Sequence, residues 1–179
     1  MQAKTKCTVV FLLKGEEICL ARKKKSIHHA DGTLGISLDK WNGYGGKQEE
    51  GETITETAIR ELFDESGIKI TEKDLEYTGV ISFFWPGNTS KDLADMEVYF
   101  YFVENYEGTP KEGDEMGPPE FFKMNAIPYD EMMAGDKIFL PKFINSEIVE
   151  GAFFFDKNEF VDMSKELNPP PENQSFPMR

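Results

Sequence analysis

The chain has 179 residues, 39% of them hydrophobic and 30% charged, with a formal net charge of −13. That length suits one domain with a full apolar core, and the balance is that of an ordinary globular protein. The charge excludes a non-specific nucleic-acid binder, which needs a basic face. An acidic protein that handles phosphates needs a bound cation to reverse the local sign.

In chain order, Lys4 and Lys6 precede an apolar run over residues 9–13. It lacks a small-residue cleavage site and is too short to span a bilayer, so it reads as a strand, and a cytoplasmic protein without membrane association is expected. Strands are predicted over residues 5–13 and 18–23, joined by Lys14-Gly15-Glu16. Cys7 and Cys19 fall on these neighbouring strands and read as buried thiols acting as small hydrophobes. With no CxxC and no His/Cys cluster, no zinc site is expected. Residues 24–40 form a long polar loop in which His28 and His29 read as surface residues. A helix follows from about 55 to 66, closed by Gly67. Residues 75–85 and 96–104 read as long strands and 121–124 as a short one. Residues 129–133 and 139–145 read as short helices, and 148–155 with 159–163 as a hairpin around Asp156-Lys157-Asn158. The tail from Asn168, with three successive prolines, reads as disordered. This leaves one domain over 1–167: an α/β chain whose mixed sheet is sandwiched between helices.

The helix carries the chemistry. Glu61 and Glu65 are four residues apart and Asp64 is three from Glu61, so the three carboxylates are expected to share one face. Ala58, Ile59, Leu62 and Phe63 are expected on a different, apolar face that packs on the sheet. A solvated acidic face is the plain alternative, but that reading expects lysines four residues on, and this face of the helix has none, since Lys69 lies past the Gly67 stop. Converging hard oxygen ligands suit Mg²⁺, which also keeps waters and takes substrate phosphates as ligands. Gly45 and Gly46, just before the helix, let the backbone approach a ligand or metal closely.

The segment from Gly46 to Ile68 resembles the Nudix box, Gly-x5-Glu-x7-Arg-Glu-U-x-Glu-Glu-x-Gly-U, where U is a bulky aliphatic residue. Gly46, Glu52, Arg60, Glu61, Leu62, Glu65, Gly67 and Ile68 match in register. Asp64 replaces the first of the paired glutamates, keeping the charge with a shorter reach. A chance match is on the order of 10⁻⁸ per start position from background composition. Beyond the box, residues 41–47 (Trp-Asn-Gly-Tyr-Gly-Gly-Lys), Gly108-Thr109-Pro110, Asp114-Glu115-Met116 and the final hairpin resemble the MutT-type animal 8-oxo-dGTP diphosphatases.

That resemblance implies the Nudix fold and Mg²⁺-dependent hydrolysis of an oxidised purine nucleoside triphosphate to monophosphate and pyrophosphate, for nucleotide-pool sanitation. Mn²⁺ is the expected substitute metal. It implies metal ligands at the Gly45 carbonyl, Glu61, Asp64, Glu65 and Glu115, with Glu52 and Arg60 orienting the acids. Glu61, Glu65 and Glu115 stand as alternatives for the general base. Lys23 is the expected phosphate contact, and Gly45, Gly46 and Lys47 border the substrate. Without the resemblance, Glu115 reads as part of an acidic loop and Lys23 as part of a solvated basic patch.

Candidates for the base pocket, which needs apolar walls with a few fixed polar groups, are Thr8, Asn42, Tyr44, Phe83, Trp85, Met96 and the segment Met133-Ala134-Gly135-Asp136. For Phe83, Trp85 and Met96 the alternative is plain core packing. The animal enzymes carry Trp-Pro-Asp-Asp where this chain has that last segment, so one aspartate and a stacking tryptophan are missing. Two rival readings follow: a Nudix hydrolase acting on an ordinary or methylated nucleotide or a nucleotide sugar, and a non-catalytic binding module of the same fold. The expected partner is a small-molecule nucleoside triphosphate, with a monomer as the default assembly.

Overall fold

The structure, a computed structural model, describes residues 2–25, 37–88 and 93–163. The expectations for His28, His29 and the tail from Asn168 lie outside them. Among the described residues, eight strands and two α-helices follow one another: β1 (Gln2–Lys14), β2 (Glu17–Arg22), β3 (Trp41–Asn42), α1 (Ile54–Ser66), β4 (Glu76–Phe84), β5 (Leu93–Val103), β6 (Glu120–Lys123), α2 (Asp136–Ile144), β7 (Val149–Phe154) and β8 (Glu159–Asp162). Residues 129–133, expected to be helical, form one 3-10 turn at Tyr129–Glu131.

The strands form a mixed sheet in the order β3-β2-β1-β5-β4-β7-β8, with β6 also on β2. The β1–β5 and β4–β7 pairs are parallel and the other pairs antiparallel. The sheet divides the core in two. Ala58 and Leu62 of α1 pack with Val10, Leu12, Tyr101 and Val103 on one face. Phe139, Leu140 and Phe143 of α2 pack with Phe11, Ile81, Phe100 and Phe153 on the other. The result is three layers, helix, sheet and helix, as the sequence predicted.

Helix α1 begins and ends on local chemistry. Thr53 caps it in a reciprocal box with Glu56: Thr53 Oγ1 accepts from the Glu56 N–H, and the Glu56 carboxylate accepts from the Thr53 N–H. Gly67, at φ 75°, takes the left-handed turn that ends it. The inward stripe runs through Thr57, Ala58, Leu62, Glu65 and Ser66. This corrects the expected division of faces. Glu65 lies on the packed stripe rather than on a separate acidic face. Phe63, one residue or about 100° round the helix from Leu62, is 43% exposed under the Lys69 ammonium.

Candidate active site

A cavity of about 450 Å³ opens between the sheet, the turn before α1 and the start of α2, a size that suits a small organic ligand. Its two ends differ in character. One is bordered by Lys23, Lys25, Gly45, Gly46, Lys47, Glu61 and Glu115. The other is walled by Phe83, Trp85, Met96, Val98, Phe100, Met133, Asp136 and Phe155, with Asn42, Ser37, Cys7, Thr8 and Val9 completing the lining.

At the charged end, the turn before α1 is zipped to β1. The Thr8 N–H donates to the Gly46 carbonyl at 2.9 Å, and Tyr44 and Val10 exchange backbone hydrogen bonds. The fit requires glycine at position 45, where a Cβ would stand 2.0 Å from the Thr8 carbonyl oxygen, and a Cβ at position 46 would displace the Glu61 carboxylate, standing 2.4 Å from its Oε1. The Gly45 N–H donates to Glu65 Oε2 at 2.7 Å, tying turn to helix. Glu65 Oε1 and Thr8 Oγ1 are buried with no hydrogen-bond partner among the described residues.

Arg60 does not line the cavity. Its Nε and Nη2 grip the two oxygens of Glu52 at 2.5 and 2.9 Å, and its Nη1 donates to Glu61 Oε1 at 2.8 Å. The fork-on-carboxylate geometry makes Glu52 a rigid brace for the guanidinium, and the Arg60 contact holds the Glu52 carboxyl down at about 2. Burial pushes Glu61 up, against the opposing pull of Arg60. Burial likewise pushes Glu65 up to about 7, with Lys23 and the Gly45 N–H opposing it. Lys23 Nζ lies 3.5 Å from the Gly45 carbonyl, and Lys25 pairs with Glu115 at 3.0 Å.

At the apolar end, Trp85 and Phe155 stack at 4.3 Å with planes 19° apart, and Phe155 also stacks on Phe83. Asn42 Oδ1 accepts from the Gly43 N–H at 2.8 Å, which leaves its amino group as the available donor. Asp136, in the first turn of α2, is 5% exposed. It accepts from the Met133 N–H at 3.0 Å, and burial pushes its carboxyl up to about 7. Helix α2 starts three residues before the predicted boundary, and this puts Asp136 at its mouth.

Residues 4–143 match the NUDIX domain. The chain belongs to the Nudix hydrolase family. It is 34% identical over 154 residues to the oxidized purine nucleoside triphosphate hydrolase of Danio rerio and 32% identical to the Mus musculus protein of that name. Each match covers 86% of this chain and 88% of the relative. Among solved structures, that of a mutator MutT protein from Bacillus halodurans superposes with a TM-score of 0.66 at 23% identity, over 88% of this chain and 94% of that one; the likeness speaks for the fold.

Nudix hydrolases work with divalent metal ions, and the donors in this Nudix hydrolase fit one. They are hard oxygens, and Glu65 Oε1 is buried with no hydrogen-bond partner among the described residues. Among the described residues no three acids are gathered closely enough to hold an ion between them; Glu61 lies against Arg60, Glu115 against Lys25, and the Asp64 side chain is 58% exposed, 4.0 Å from Arg60.

Most of the predicted residues meet at the cavity: Thr8, Lys23, Asn42, Gly45, Gly46, Lys47, Glu61, Phe83, Trp85, Met96, Glu115 and Asp136. Tyr44 does not. It pairs with Val10, and residues directly opposite across an antiparallel bridge share a face; its ring is fully buried with Val10 on the α1 side, its hydroxyl 3.7 Å from Cys19 Sγ. Cys7 and Cys19 are free and buried as expected, and burial pushes both thiols up to about 11. Sequence reasoning missed Phe155, although Phe153-Phe154-Phe155 ending a strand signals it: alternation sends Phe153 and Phe155 to one face. No helix among the described residues is long and apolar enough to cross a membrane.

Proposed function

We propose that this Nudix hydrolase cleaves oxidised purine nucleoside triphosphates, such as 8-oxo-dGTP, to the monophosphate and pyrophosphate, using Mg²⁺ with Mn²⁺ as a substitute, and so cleans the nucleotide pool. The observation that carries the reading is the two-ended cavity. An aromatic slot with Asn42 and the buried Asp136 leads into an end bordered by Lys23, Lys47, Glu61 and Glu115. A purine is a flat apolar body with a polar edge, and the slot matches it. The relatives named above, similar over most of their length, support the same substrate class.

The Gly45 carbonyl, Glu61, Asp64, Glu65 and Glu115 would hold the cation. Bound there, it would polarise a phosphoryl oxygen and acidify a water. The chain's own residues do the rest. Glu52 braces Arg60, and Arg60 fixes the Glu61 carboxylate. Gly45 fixes one oxygen of Glu65 and leaves the other available. Lys23 and Lys47 meet phosphate charge. Water adds to phosphorus, the bridging P–O bond breaks, pyrophosphate leaves, and the water's proton passes to Glu61, Glu65 or Glu115. Asn42 donates to a purine oxygen or ring nitrogen, and Asp136 meets another position of the same edge.

The test is pyrophosphate release from 8-oxo-dGTP, 2-hydroxy-dATP and dGTP, with and without Mg²⁺. The expected result is Mg²⁺-dependent release, fastest from an oxidised purine. Equal rates on dGTP and 8-oxo-dGTP would reject the sanitation role. A second reading, a Nudix hydrolase of another nucleotide, is favoured by position 135. There the chain has glycine where the animal enzymes have aspartate, and a Cβ would lie 2.7 Å from the Phe139 ring, so the base edge meets one acid here instead of two.

A further inference from the structure

Lys23, Lys24 and Lys25 read as one basic patch in the sequence, but the structure gives them different surroundings. Lys23 points to the Gly45 carbonyl at 3.5 Å. Lys24 donates to the Gly113 carbonyl at 2.9 Å and pairs with Glu112. Lys25 pairs with Glu115 Oε1 at 3.0 Å, and both line the charged end of the cavity. The backbone keeps these two together. The Lys24 N–H donates to the Glu115 carbonyl at 2.8 Å, Lys23 and Met116 form a bridge, and the Gly117 N–H donates to the Arg22 carbonyl at 2.8 Å. Glu115 is therefore held beside Lys25 whatever their ion pair contributes. That pair is weak, since the two side chains are 60% and 54% exposed and exposed pairs add little. An ammonium held this loosely, at the mouth of a cavity in a chain of net charge −13, is a cation in reserve.

We propose that Lys25 is a positioning residue for the outer phosphates of the triphosphate, occupied by Glu115 in the free protein and released to the substrate when Glu115 turns to the divalent ion. The inference rests on the reading of the cavity as a triphosphate site. It adds an exchange of partners: one carboxylate changes from ammonium to metal, and the ammonium changes from carboxylate to phosphate. Substrate and metal then each favour the other's binding, beyond what any direct contact between them supplies.

The experiment measures binding of a nucleoside triphosphate with a non-cleavable α–β bridge, and of the matching monophosphate, by calorimetry. It uses the wild type, Lys25→Met, Lys25→Arg, Glu115→Gln and the Lys25→Met/Glu115→Gln double variant, in EDTA and in Mg²⁺. In EDTA, Lys25→Met should match the wild type, and Glu115→Gln should bind the triphosphate about three- to fivefold more tightly because Lys25 is free, a gain the double variant loses. In Mg²⁺, Lys25→Met should weaken the triphosphate by a similar factor and leave the monophosphate unchanged, with Lys25→Arg restoring affinity. In turnover, KM should rise while kcat holds. Persistence of the Glu115→Gln gain in the double variant would overturn the proposal, because loss of a negative charge alone would then explain it. Equal weakening of triphosphate and monophosphate by Lys25→Met would also overturn it. A wild type that binds no triphosphate even in Mg²⁺ would overturn the function proposed above, and this inference with it. Melting midpoints of the variants without ligand should match the wild type, which separates these outcomes from a folding defect.

Discussion

Glu65, held behind the charged end of the cavity by the Gly45 N–H, and Asp136, lining the apolar end, are both buried, and burial pushes both carboxyls up to about 7. Their surroundings differ. Around Glu65 the field is crowded: Lys23 and the Gly45 N–H favour its charged form, and Glu61 and Glu115 oppose it. Around Asp136 it is the Met133 N–H that, among the described residues, offsets the apolar setting. A carboxyl balanced among charges changes its state when one more charge arrives, whereas a carboxyl raised by apolar walls has a proton affinity set by the fold. The first arrangement suits an acid that works on an ionic ligand, the second an acid that meets an uncharged edge.

Substitutions can break this contrast. The largest expected effect is that of Glu65→Gln: pyrophosphate release should fall at least about a hundredfold, while circular dichroism shows the fold retained; near-normal turnover would remove Glu65 from the chemistry. Next comes Asn42→Ala, which should reduce preference between oxidised and ordinary purine triphosphates by about tenfold and leave pyrophosphate inhibition unchanged. An equal loss of rate on every substrate would count against the slot as the base-reading end.

Asp136→Asn tests the other acid through stability. In the unfolded chain Asp136 ionises near its ordinary 3.8, in the folded one near 7. Between these values the folded state keeps a proton the unfolded state has lost, so stability falls as pH rises through the window, and the penalty is complete above about 7. The variant should therefore melt about 3–8 °C above the wild type at pH 8 and together with it near pH 3.5; a constant difference across that range would show that burial of the charge is not the cause. The smallest effect is expected for Phe63→Ser, since that ring sits at the surface beside Lys69. Its melting midpoint should move by no more than about 2 °C, confirming that the packed stripe runs through Glu65 rather than Phe63.

The parts of this site that local rules govern were legible in the sequence. The Gly67 stop and the spacing of Glu52, Arg60, Glu61 and Glu65 depend on neighbours a few residues away, and α1 starts within one residue of the predicted boundary and ends on it. The layered mixed sheet also followed from strands in series around one strong helix. What escaped depends on partners far along the chain. Tyr44 faces the core because it pairs with Val10. Phe155 reaches Trp85 because β7 runs parallel to β4, with the Phe155 N–H donating to the Phe84 carbonyl at 3.0 Å. Lys25 meets Glu115 because the loop after β5 zips back along the end of β2. The alternation of Phe153 and Phe155 marks a shared face but not the partner across it, and the other two pairings leave no periodic trace in their own segments.

That zipped loop is anchored a second time. The Lys111 N–H donates to the Ser66 carbonyl at 2.9 Å, at the end of α1, and Gly113 lies so close to Glu65 that a Cβ there would stand 2.8 Å from the Glu65 carbonyl oxygen. Glu115 therefore joins the helix acids only after β1, β5 and β2 have found one another across long stretches of chain, closures that are slow to form. On the function proposed above, hydrolytic competence would wait on these closures, and a molecule in which only α1 had formed would leave the triphosphate pool untouched.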